Sequence, residues 1–106
     1  KKPIFVVVEN PPQYVNGKEA LYQFLGANIK YPAEAQKKGI QGTVYVTFVV
    51  GKDGAVNNAR IARGVDPSLD KEALRVVNQL PKWKPGKQRG KAVNVSYTVP
   101  INFVLQ

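Results

Sequence analysis

From Val93 to Leu105 every odd position is apolar: Val93, Val95, Tyr97, Val99, Ile101, Phe103 and Leu105, while the even positions are mostly polar or small. Alternation sustained over so long a run predicts a strand with one buried face and one wet face. Pro100 falls inside it, and proline has no N–H to give to a ladder. The strand is therefore expected at the edge of a sheet. Such an edge carries unpaired backbone groups that an extended segment of another chain can pair with.

The rest of the chain supplies the partners for such a strand. Thr43 to Val50 alternates with Val44, Val46, Phe48 and Val50 on one face, Gly51-Lys52-Asp53-Gly54 turns the chain, and Ala55 to Arg63 returns as a less regular strand. Lys18 to Asn28 reads as a helix with Leu21, Phe24 and Leu25 as its apolar stripe. A second, shorter helix starts at Pro32 and stops at Gly39. Asp66-Pro67-Ser68 caps a third, whose stripe is Leu69, Ala73, Leu74, Val77 and Leu80, ended by Pro81. Ile4 to Val8 is a short β-branched strand closed by Asn10-Pro11-Pro12.

This order of elements predicts an α+β fold: a small three-stranded antiparallel or mixed sheet, open to an added N-terminal strand, with helices on one face. The hairpin lies beside the last strand, and the intervening helix makes a right-handed crossover. At 106 residues the chain suits one domain, residues 1–106, able to bury roughly 65% of its unfolded surface. Residues 1–16 form the strand and Pro-rich lead-in, and residues 17–106 the core. Whether Ile4–Val8 takes the free edge, pairs with a second copy as a homodimer, or packs elsewhere is left open.

Composition narrows the chemistry. Cysteine, histidine and methionine are all absent from the sequence, which removes thiolate and imidazole catalysis and soft metal sites. Its seven acids are scattered, and four are accounted for by a turn or a helix start. No catalytic residue, metal ligand or cofactor is expected. A formal charge of +9 implies an affinity for anionic surfaces. The loop Lys82-Trp83-Lys84-Pro85-Gly86-Lys87-Gln88-Arg89-Gly90-Lys91 interleaves cations with an aromatic, as single-stranded nucleic-acid binders do. It offers one stacking platform where successive bases need several, so Trp83 is expected in the core and no nucleic acid is expected as a partner.

The separate pieces become more specific in their order. Tyr31-Pro32, a short helix, then Gly42-x-Val44-x-Val46-x-Phe48-x-Val50-x-x-Asp53-Gly54-x-Val56, Asp70-x-x-Ala73, Trp83-x-Pro85-Gly86 and the alternating last strand resemble the periplasmic C-terminal domain of TonB-family energy transducers. The upstream Gly17-x-Glu19-Ala20-Leu21, Phe24-Leu25 and Asn28-Ile29-Lys30-Tyr31-Pro32 are similar to the Bacteroidetes-type version. Lys30 stands where the better-known enterobacterial form has a glutamine.

The resemblance implies a non-enzymatic periplasmic coupling domain of an inner-membrane-anchored protein, driven through an ExbB/ExbD-like complex by way of an N-terminal region. Its partners would be outer-membrane TonB-dependent transporters, whose TonB box adds as a strand to the last strand of the sheet. The implied partner-binding residues are Val93, Asn94, Val95, Ser96, Tyr97, Thr98, Val99, Ile101, Asn102 and Phe103, with Lys30, Tyr31 and Pro32. If the nitrogen of Pro100 faces outward, Asn94, Ser96, Thr98 and Asn102 present their N–H groups to the partner. Two other readings share these residues: a TonB-like ligand-binding domain of a membrane sensor or peptidase, and a basic nucleic-acid-binding module.

Overall fold

The computed structural model describes residues 3–106, in the order β1 (Ile4–Phe5), α1 (Gly17–Asn28), α2 (Ala33–Lys37), β2 (Gly42–Val50), β3 (Val56–Arg63), α3 (Pro67–Val77), β4 (Gly86–Gln88) and β5 (Lys91–Phe103). Lys1 and Lys2 lie outside the described residues.

The two strictly alternating segments pair with each other. β2 and β5 run antiparallel without a shift from Gly42 opposite Phe103 to Val50 opposite Val95. Matching alternation explains this register, because a slip of one residue would turn every valine of one strand into water. Val44, Val46, Phe48 and Val50 are buried, as are Val95, Val99, Ile101 and Phe103. On the other side β2 pairs antiparallel with β3, whose ladder shifts twice. One shift coincides with Asn58 at φ 53, a left-handed bulge residue. The strand order is β1-β5-β2-β3, so β5 and β3 run parallel across β2. α3 forms the connection between them, as expected.

The helices complete the core on one face. Leu21 and Leu25 of α1, Ala35 of α2, and Leu69, Ala73, Val76 and Val77 of α3 join the inward residues of β2 and β5 in a single cluster. Asp66 caps α3 by accepting from the Ser68 N–H at 3.0 Å. The helix stops at Val77, and Leu80 reaches the core from the turn beyond it rather than from the helix. Pro32 precedes α2, and Gly39 takes φ 67 after it, as that stop requires.

The sheet has two small strands beyond the expected three. β1 is only Ile4–Phe5, parallel to β5 at Asn94 and Val95. Val6 and Val7, expected to continue that strand, bend away and are exposed. The basic loop contains β4, a hairpin partner of Lys91–Val93. Its two-residue turn is Arg89–Gly90, with both residues at positive φ, 52 and 75, the backbone of a type I′ turn. The Pro-rich lead-in then pairs with β4 from outside, Asn10 exchanging bonds with Lys87 at 3.1 and 2.8 Å and Gln13 with Lys84 at 3.0 and 2.8 Å. The lead-in from Asn10 to Tyr14 is thus bound to the core, and the Tyr14 ring meets Trp83 edge-on at 5.4 Å.

Candidate functional site

β2 pairs with β5 from Val95 to Phe103, and the opposite side of β5 is covered only near its start. There Asn94 pairs with Ile4 and Val95 with Phe5, while Val93 pairs with Gly86 of the β4 hairpin. From Ser96 to Phe103 no strand among the described residues pairs with that side. The expected edge therefore exists, shortened at its start. Asn94 and Val95 lie in the stretch covered by β1, Val93 is held in the β4 hairpin, and Ser96, Tyr97, Thr98, Val99, Ile101, Asn102 and Phe103 lie along the open stretch.

The direction of the unpaired groups follows from Pro100. Pairs in an antiparallel ladder alternate between exchanging two bonds and exchanging none. The β2 ladder runs unbroken through Tyr45 opposite Pro100 and Val46 opposite Val99, which a proline permits only in a pair of the second kind. Its nitrogen consequently faces away from β2. Ser96, Thr98 and Asn102 share that parity and turn their N–H and C=O groups to the open side, while Tyr97, Val99 and Ile101 bond to β2.

α1 passes beside this open stretch. Tyr22, Leu25, Gly26 and Ile29 face Pro100, Ile101 and Asn102 across a crevice of about 280 Å³. A second crevice, about 500 Å³, lies under Tyr97 between Leu21, Trp83 and the lead-in. Burial pushes the Tyr97 phenol up from its ordinary pKa, and the nearby Tyr22 phenol adds to this. The sequence reading assigned α1 to the core and missed its outward side. Its signal was Gly26, a poor helix former in the last turn of α1 where an added Cβ would meet nothing within 4 Å.

The Lys30-Tyr31-Pro32 segment reaches β5 through one residue. The Tyr31 ring meets Phe103 edge-on at 5.7 Å, and its hydroxyl donates to the Ile40 carbonyl. Lys30 and Pro32 line a crevice of about 750 Å³ with α2 and α3, including Lys71, Glu72 and Arg75. Here Glu72 is a hub that sequence reasoning took for a helix-start charge. It accepts from Arg75 Nε and Nη2 at 2.7 Å each and from the Lys30 N–H at 2.6 Å, while Arg75 Nη2 also donates to the Asn28 carbonyl at 2.8 Å. The guanidinium hydrogen bonds hold the Glu72 carboxyl below its usual range, outweighing partial burial. The clamp fixes the exit of α1 to α3, and with it the position of Tyr31.

The basic loop does not form a stacking surface. Trp83 is 4% exposed and packs edge-on against Phe48 and Tyr97 at 5.6 and 4.9 Å. Its cations stand around a hairpin whose aromatic is in the core.

An unpaired strand edge beside the β2 ladder and backed by helices has the geometry to which an extended backbone can be added. Residues 27–105 match the family described as Gram-negative bacterial TonB protein C-terminal, and the chain belongs to that family. It is 32% identical over 90 residues, 84% of its length, to the Protein TonB of Haemophilus influenzae. The chain spans about a third of that relative, 32% of its length. The fold is that of the Helicobacter pylori TonB C-terminal domain in solution: TM-score 0.63 and 24% identity to the structure of residues 179–285, covering 81% of this chain and 78% of that one. A shorter form, residues 194–285, gives 0.59 and 23%, with 81% and 90% covered.

Proposed function

We propose that this chain is the periplasmic receptor-coupling domain of a TonB-type energy transducer, and that it binds the N-terminal TonB box of outer-membrane transporters by adding it as a strand along Ser96–Phe103. The observation that carries this reading is the open side of β5 in a member of the TonB C-terminal family. Among the described residues no helix is long and apolar enough to cross a membrane; anchoring and contact with an ExbB/ExbD-like complex are assigned to sequence outside this domain. The module acts by binding, without catalysing a reaction.

Strand addition suits a coupling task. Backbone hydrogen bonds depend little on side-chain identity, so one domain can serve transporters with differing boxes. Each bond contributes only about 1 kcal/mol net, but bonds loaded together along a strand resist a pull until they fail together. For the box to run past Ser96 toward Asn94, the two pairs made by β1 must give way.

The test is a titration of the isotopically labelled domain with peptides from transporter N-termini, followed by amide exchange. Binding should slow exchange at Ser96, Thr98 and Asn102. Shifts centred away from residues 96–103 would sink the proposed site.

A further inference from the structure

The open edge has an uneven capacity for backbone bonds. Opposite Pro100 an added strand finds a carbonyl but no N–H, so the ladder is one bond short there. The 280 Å³ crevice between α1 and β5 lies at this same point, lined by Tyr22, Leu25, Gly26, Ile29, Pro100, Ile101 and Asn102. It lies below the roughly 300–1,000 Å³ of small-molecule pockets and matches a single large side chain. Its lining is mainly apolar, with Tyr22 and Asn102 among its polar contributors. Gly26 leaves its floor open, because a Cβ built there has no neighbour within 4 Å, and Tyr22, 45% exposed, stands as a wall.

A strand laid along Ser96–Phe103 directs alternate side chains to the helix side of the sheet and to the opposite side. Those on the helix side pass over α1. We propose that this crevice is a side-chain socket that selects a large aliphatic or aromatic residue at one position of the added segment, the one lying beside Pro100. This deepens the strand-addition reading and rests on it. The occupant is an extended segment because the crevice opens onto unpaired ladder groups, and its side chain at this position is apolar because most of the lining is apolar. A socket placed where the backbone bond is missing gives the segment a fixed register. Backbone pairing alone would permit slippage by two residues.

The probes are acetylated nine-residue peptides of alternating threonine and valine with glutamate ends, in which each position in turn carries alanine or leucine. Each buried methylene is worth about fourfold in affinity. Leucine should therefore bind at least about tenfold tighter than alanine at one position, with smaller effects elsewhere. In Gly26→Leu, which fills the socket, that preference should fall below about threefold while protection at Ser96, Thr98 and Asn102 persists. Tyr22→Ala, which removes the outer wall and lies on an exposed side chain, should also lower it, and serves if the glycine variant does not fold. Edge protection with no size-sensitive position, or with the preference intact in both variants, would overturn the socket and leave strand addition standing. Absence of edge protection with every peptide would overturn both.

Discussion

Glu72 shows how one residue couples three segments: α3 through Arg75, the α1 exit through Arg75 and the Asn28 carbonyl, and the Tyr31-Pro32 lead through the Lys30 N–H. Its side chain is 11% exposed, so its bonds are poorly replaced by water. Glu72→Gln is expected to destabilise the domain by about 1–3 kcal/mol at neutral pH. The pH dependence has a definite sign. The folded carboxyl titrates below its unfolded value, so its contribution is complete above the ordinary glutamate range near 4.3 and is lost as pH falls through the lower, folded value. Urea midpoints of the two proteins should therefore separate at pH 7 and converge in acid. A gap that stays constant down to pH 3 would show that the clamp is not ionic.

Two glycines make a contrasting pair at the level of elements. Gly54 turns β2 into β3 at φ 86, accepts from the Trp83 N–H at 2.8 Å, and would bring a Cβ within 2.1 Å of the Trp83 carbonyl oxygen. Gly54→Ala should cost more than about 2 kcal/mol by thermal or urea unfolding. Gly26, in the last turn of α1 with open space, should gain up to about 0.5–1 kcal/mol as alanine. An equal effect of the two would contradict the packing of the turn on Trp83. For β5, the outward parity of even residues predicts that in the free domain the amides of Ser96, Thr98 and Asn102 exchange quickly and those of Tyr97, Val99 and Ile101 slowly. The reverse pattern would place the nitrogen of Pro100 against β2.

The same elements show what a sequence can disclose. α1, α3, β2 and the alternation of β5 were legible because each repeats a periodic signal over several residues, whereas α2 and β3 were read from their bounding signals, Pro32 and Gly39 for the helix and the Gly51–Gly54 turn for the strand. β4 was not, because three residues carry no period and its turn uses Arg89 at φ 52, where turn rules look for asparagine, aspartate or glycine. Pro100 correctly marked an edge, but how much of that edge stays open was decided by β1, whose pairing is tertiary. The Glu72 hub and the α1 crevice join residues 42 or more positions apart, and neither has a local pattern.

Across the whole molecule the governing quantity is charge. The formal balance is +9, and among the described residues only two ion pairs form, Lys38–Glu34 and Arg75–Glu72. The other cations repel one another through solvent, most closely around the β4 hairpin. Self-repulsion opposes the compact state and is screened over a Debye length of about 10 Å at 0.1 M salt. Raising sodium chloride from low to physiological strength should thus raise the urea midpoint. The same screening acts oppositely on binding: affinity for a segment with acidic flanks should fall with salt, while affinity for an uncharged one should hold, because backbone pairing and the apolar socket carry no net charge. Folding and binding measured on one salt series then separate the two roles of the charge. If both peptides weaken in parallel, the acidic flanks contribute nothing and the cations serve only to keep copies of the domain apart.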